Sequence, residues 1–267
     1  MGGCARSRRS NGGFSLIELA VVLVIVGLLV GGGIAALDAT TQQARRSEQQ
    51  RQMVEVREAL YGFALSEGRL PCPVDLDPSE YPPDGNEDPE DPDAGTDCSA
   101  EEGALPWRQL GVGRRDAWDN PLLYRVTQDF ADGPVDDDGM DSDTGSSFAL
   151  SSSESDGDGD LTVEDGAGGT ITTNTPAVVV SFGPQGDQVW TEDGFVCPGS
   201  GGAPANGFSD DETENCDWID DNTDDTYVAA DFRTPEADDG RFDDMLIWLP
   251  TPILKARMVD VGRLPRQ

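Results

Sequence analysis

Residues 14–37, FSLIELAVVLVIVGLLVGGGIAAL, are apolar throughout except for Ser15 and Glu18. A helix over this stretch reaches about 36 Å at 1.5 Å per residue, enough to cross a bilayer core roughly 30 Å thick. No ordinary globular core asks for so long an uninterrupted apolar run, so a single membrane span is the first expectation. The preceding residues 1–13, MGGCARSRRSNGG, are polar, with Arg6, Arg8 and Arg9 and no acid.

Two simpler plans compete for this segment. A secretory signal peptide also joins a basic start to an apolar stretch, but its stretch is shorter and ends at a small-residue cleavage site. A plain anchor helix has no use for Glu18, since a charge at the centre of a span costs on the order of 3 kcal/mol on insertion scales. The cost is lower near a helix end, yet an acid in the first turns of a span points to a partner.

Gly13-Phe14-Ser15-Leu16-Ile17-Glu18 resembles the N-terminal signature of type IV prepilins and type II secretion pseudopilins. The resemblance implies cleavage between Gly13 and Phe14 by a membrane-bound prepilin peptidase, N-methylation of the new terminus at Phe14, and a role for Glu18 in assembly. The physics agrees with that assignment. Cleavage exposes a positive amine on Phe14, and Glu18 of a neighbouring subunit can neutralise it where an unpaired charge would be expensive. The charge rule leaves orientation open, because Arg45, Arg46 and Arg51 follow the run on its other side. The resemblance places the N-terminus in the cytoplasm. Gly27, Gly31, Gly32 and Gly33 admit three readings: a soft segment, a small-residue packing face, or simple tolerance of glycine in membrane helices.

Beyond Leu37 the chain turns polar but stays helix-forming, and Met53, Val56, Leu60 and Phe63 recur as one apolar stripe. The helix is therefore expected to continue to about Ser66, stopped by Gly68, Pro71 and Pro73. Together with what the resemblance implies, this divides the chain into a cleaved leader (1–13), a transmembrane half-helix (14–37), an amphipathic half-helix (38–68) and a periplasmic head (69–267). In the head, residues 122–127, 177–182, 226–232 and 245–249 have strand composition, and a short helix is expected over 253–261. Residues 82–98 and 131–170 read as long acidic loops. The expected fold is α+β and pilin-like: a long helix packed on a small antiparallel sheet. Trp107, Trp118 and Tyr124 read as core or loop-anchoring aromatics.

The stretches 62–73, 103–126, 159–163, 176–186, 211–215, 242–249 and 257–265 also resemble a narrower group of prepilin-like proteins of Gram-negative bacteria. Asn120 stands where that group suggests glycine, which alters the turn.

The chain holds 52 acidic residues against 18 basic ones, a net charge of −34, and no histidine. Such a surface repels nucleic acid. The absence of histidine removes Ser-His and Cys-His mechanisms and the usual zinc sites. Paired carboxylates could still serve a hydrolase, but most lie in Gly/Pro/Ser-rich runs, so no enzyme is expected. Cys4 leaves with the leader. Cys72, Cys98, Cys197 and Cys216 remain, and the local pairing Cys72–Cys98 with Cys197–Cys216 is favoured among three connectivities.

No cofactor is required; calcium is the one considered. Asp156, Asp158 and Asp160 alternate as in a calcium loop, but Leu161 takes the usual glycine position. Asp220, Asn222, Asp224 and Asp231 have similar spacing with the same defect. A solvated acidic surface is the leading reading of both.

The function expected is a structural one. A minor pseudopilin or minor pilin would sit single-pass in the inner membrane, then join a type II secretion pseudopilus or a type IV pilus with other pilin-like subunits. The alternative is a membrane-tethered periplasmic binding protein that does not polymerise.

Overall fold

A computed structural model describes residues 15–76, 83–88, 98–131, 159–191, 194–199, 207–216, 225–235, 237 and 240–264. The chain divides into two compact units, 1–46 and 47–267. The division falls inside helix α1 (Leu16–Glu67), whose bounds match the expected helix. Gly68 ends it. Its φ of 85° is one that L side chains rarely adopt, and its N–H bonds the Ala64 carbonyl at 2.9 Å.

The second unit has a four-stranded antiparallel sheet in the order β1-β2-β5-β9. Its strands are β1 (Glu102–Ala104), β2 (Leu123–Val126), β5 (Ala177–Ser181) and β9 (Met245–Trp248). Side chains alternate between the faces. Tyr124, Val179 and Ile247 face a core built with Met53, Val56, Leu60, Tyr61 and Ala64 of α1 and with Leu254 and Met258 of α6 (Thr251–Asp260). Leu123, Val178 and Val180 turn the other way, onto Leu161, Val163, Phe182, Trp190 and Tyr227. The central strand β5, AVVVS, is buried along its whole length, because both faces of its sheet are covered.

Its second cover is a sheet in the order β4-β3-β8, formed by β3 (Leu161–Glu164), β4 (Thr170–Thr175) and β8 (Thr226–Val228). Here β3 pairs antiparallel with β4 and parallel with β8. A hairpin of β6 (Trp190–Thr191) and β7 (Gly194–Phe195) follows β5 in the chain. Short helices α2 (Trp107–Leu110), α3 (Gln128–Ala131), α4 (Gly186–Val189) and α5 (Asp210–Glu214) link these elements.

The head therefore differs from the expectation of one small antiparallel sheet. Residues 159–170, read as loop, contribute β3 and the start of β4. Only Leu161 and Val163 turn inward along β3, too few to stand out from an acidic background. The strand expected over 226–232 stops at Val228: its partner β3 ends at Glu164, whose carbonyl accepts the Ala229 N–H at 2.8 Å, and Phe232 is exposed. In the helix stripe, Tyr61 and Ala64 are buried while Phe63 is only half-buried. Phe63 lies at the edge of the stripe, with the Arg69 guanidinium 5.3 Å from its ring centroid. The altered turn at Asn120 is also relocated. The left-handed residue is Asp119, φ 75°, while Asn120 is buried and its side chain donates to the Gly183 carbonyl at 3.3 Å. Tyr124 is fully buried, and Trp107 packs against the second core.

Candidate functional site

In the first unit, α1 begins at Leu16 and carries Glu18 in its first turn. Residues 15–28 are all exposed, including Leu16 at 88% and Ile17 at 72%. A helix apolar on every side belongs in a core or a membrane, and an exposed apolar surface of this kind marks an interaction. Glu18 is the lone charge on it. Gly13 and Phe14 lie outside the described residues. Among the described residues no helix is long and apolar enough to cross a membrane. The side chains of residues 29–39 are outside the description, and the apolar part of α1 that remains, residues 16–28, extends about 20 Å.

In the second unit, Cys72 is bonded to Cys98 and Cys197 to Cys216, the local pairs expected from the sequence. The first bridge stands next to a buried ion pair. Arg69 contacts Glu87 at 2.8 and 3.1 Å, and the same carboxylate accepts the Cys72 N–H at 3.0 Å. Glu87 falls in a stretch expected to be a solvated loop; its burial beside Arg69 is a correction.

Of the expected calcium ligands, Asp156, Asp158, Asp220, Asn222 and Asp224 lie outside the described residues. Asp160 is engaged by Thr127, whose hydroxyl bonds its carboxylate and also accepts the Asp160 N–H at 3.2 Å. Asp231 is exposed.

A different acidic group comes together in the core. Oxygens of Glu212, Asp243 and Asp244 lie within 4.8 Å of one another, all buried. Glu212 is held by a capping box at the start of α5: Ser209 Oγ accepts the Glu212 N–H at 3.2 Å, and Glu212 Oε2 accepts the Ser209 N–H at 3.0 Å. Its other oxygen accepts the Asp243 N–H at 3.1 Å. Asp243 pairs with Arg241. Asp244 accepts a bond of 2.8 Å from Asn215, whose amide also grips both backbone groups of Val228. Burial raises the pKa of Glu212, and raises that of Asp244 well above the usual carboxylate value. Among the described residues these three side chains are the ones that could ligate a divalent cation, yet their hydrogen bonds already tie α5, β8 and the approach to β9 together. The only advance signal was the Ser209-x-x-Glu212 box pattern, which marks a helix start rather than a cluster.

Residues 8–34 match the family model of the prokaryotic N-terminal methylation motif, the signature of type IV prepilin- and pseudopilin-like proteins. That family is structural rather than catalytic. The motif implies processing by a prepilin peptidase and assembly with other pilin-like subunits. No curated protein and no solved structure matches the chain.

Proposed function

We propose that this chain is the precursor of a minor pseudopilin or minor pilin. A prepilin peptidase/N-methyltransferase cuts between Gly13 and Phe14 and methylates Phe14. Residues 14–37 then hold the protein single-pass in the inner membrane, N-terminus in the cytoplasm and head in the periplasm. Glu18 offers its carboxylate to the terminal amine of a neighbouring subunit as the chain enters a type II secretion pseudopilus or a type IV pilus. The methylation motif over residues 8–34 carries this reading. The exposed apolar start of α1 supports it, since such a surface needs lipid or another subunit. The two disulfides suit an oxidising compartment. The layered head with its long acidic segments suits a minor subunit, because a major one must pack densely.

The test is the intact mass and N-terminal fragmentation of the membrane-extracted protein. A chain starting at methylated Phe14 is expected. A chain that keeps Met1 in cells with active prepilin peptidase would sink the proposal. The tethered-binder reading draws on a groove of about 750 Å³ in the head, lined by Met245–Trp248 of β9 and by Met53 and Val54 of α1. The two part at Glu18→Ala, which a tether tolerates and a filament subunit does not.

A further inference from the structure

Strand β9 ends the four-stranded sheet, and its pairing with β5 fixes which backbone groups are spent. Leu249 donates to the Ala177 carbonyl at 3.1 Å, and Ile247 and Met245 stand opposite Val179 and Ser181. By antiparallel alternation these three residues bond to β5, so Leu246 and Trp248 aim their N–H and C=O groups at the open side. Among the described residues no strand pairs with that side. The opposite edge is treated differently: Val74 bridges to Ala104 and covers β1. Edge strands are commonly guarded by a charge, a proline or a bulge. Within β9, MLIW, there is no charge and no proline, and its pairing with β5 runs without a break in register.

A groove of about 750 Å³ runs along this edge. Gln50, Met53 and Val54 of α1 form one wall; Ile171 of β4 and Ala229 and Ala230 beyond β8 form the other. Val54 and Ile171 are 48% and 45% exposed, so the walls hold apolar surface in solvent. A second hollow of about 470 Å³ shares Leu246, Ile247 and Trp248 and continues to Tyr61 and Ile253. Apolar walls on both sides of unpaired backbone suit an extended chain, whose alternate side chains would enter the two walls while its amides pair with Leu246 and Trp248. Four residues of edge offer about 13 Å, room for a segment of four or five residues.

Charge selects among occupants. The groove rim reaches Asp165 and Asp231, both exposed. The Gly169 and Ala167 N–H groups hold the Asp165 pKa below its ordinary value, so it stays ionised. Arg233, on the same rim, is already paired with Asp211. A second copy of the chain would bring another net charge of −34 and repel. We infer that the open edge of β9 is a docking site for an extended apolar segment of a partner protein, with a lysine or arginine at the end that meets Asp165 and Asp231. The site does not depend on processing at Phe14, so it stands or falls separately from the assembly reading.

The probe is a fluorescein-labelled peptide, Lys-Val-Thr-Val-Thr-Val, titrated by fluorescence polarisation against the full-length chain in detergent micelles, with empty micelles as blank. Two further peptides carry N-methyl groups on alternate amides, one in each of the two registers. Saturable binding is expected, with at least a tenfold loss for one methylated register and little change for the other. Val54→Arg is expected to weaken the parent peptide at least tenfold with an unchanged urea midpoint. Paired Asp165→Asn and Asp231→Asn changes are expected to cost severalfold for this peptide and nothing for one with threonine in place of lysine. No binding up to 1 mM, or equal behaviour of the two methylated registers, overturns the site. Sedimentation showing self-association that Val54→Arg abolishes would make the occupant a second copy and overturn the assignment of a foreign partner.

Discussion

Glu102 offers the sharpest test of how the two sheets are joined. It sits on β1 with 1% of its surface exposed, and its Oε2 accepts the hydroxyl of Tyr227, on β8, at 2.8 Å. The nearby cation, Arg125, bonds Glu101 and Asp225 at 2.7 Å each. Burial drives the Glu102 pKa from 4.5 to about 8; the Tyr227 bond and Arg125 pull the other way, and Asp225 adds to the rise. The folded chain therefore holds this proton more tightly than the unfolded one. The stability it contributes is full below pH 4.5 and is lost as pH rises through 8. At about 1.36 kcal/mol per pH unit the ceiling on that loss is roughly 5 kcal/mol, a large share of the ~5–15 kcal/mol of a typical domain. Glu102→Gln is neutral at every pH and keeps an oxygen for Tyr227. Urea unfolding of full-length wild type and variant in detergent, followed by tryptophan fluorescence, should give similar stabilities at pH 5. By pH 9 the variant should lead by about 2 kcal/mol or more, since relaxation around a buried charge recovers part of the ceiling. Comparing the two proteins cancels the other buried acids, Asp116, Glu212 and Asp244, whose pKa values burial also raises. Parallel pH profiles, or a wild type that gains on the variant with rising pH, would refute the protonated assignment.

Arg69→Ala leaves Glu87 buried and uncompensated, and should cost about 3–5 kcal/mol in urea unfolding; Arg69→Met with Glu87→Leu should recover most of it. Replacing Cys197 and Cys216 by serine frees the second disulfide loop and should cost about 2–4 kcal/mol by the same measurement. Gly183→Ala should destabilise by more than about 1 kcal/mol, because φ there is 57° and the added Cβ would stand 2.7 Å from Asp243 Oδ1. Calcium added at constant ionic strength should leave Tm unchanged; a rise would point to a cation site, in the acidic loops or at Glu212, Asp243 and Asp244.

The long helix and four of the strands were legible because each repeats a period long enough to read. Residues 177–182 hold four apolar side chains in a row, and Met53, Val56 and Leu60 hold a helical stripe for two turns. Of the second sheet only β8 was legible, within the longer stretch 226–232. Strand β3 buries two residues, β4 is exposed at most positions, and β8 is three residues long; their pairing joins segments more than sixty residues apart, Thr162 to Thr226, which no local pattern announces. The methylation motif over residues 8–34 is one uninterrupted stretch and could be read whole. The buried carboxylates could not, because Glu212 and Asp244 become a group only when α5 docks beside β9, and in the sequence they look like the many acids that stay in solvent.

The cations show why so acidic a chain holds together. Arg125 ties β2 to Glu101 and Asp225; Arg233 reaches Asp211 of α5; Arg241 meets Asp243 at the carboxylate cluster. Arg257 of α6 bonds Glu58 of α1 and lies over the ring of Tyr61, 4.0 Å from its centroid. Arg263 donates to the carbonyls of Leu65 and Ser66, in the last turn of a helix that has no basic residue of its own there, and so satisfies acceptors that the helix leaves open. Except for Arg241, whose partner Asp243 is two residues away, each of these arginines stands at a seam between elements separated in sequence. A guanidinium suits that place, since its fixed fork and weak hydration let it serve several oxygens at once. With these cations committed, most of the excess acid is left to the surface, where its mutual repulsion falls as salt shortens the screening length from roughly 10 Å at 0.1 M to about 3 Å at 1 M. The seams are partly buried and screened less, so salt should relieve the repulsion more than it weakens the joints, and a salt-rich surrounding favours this fold.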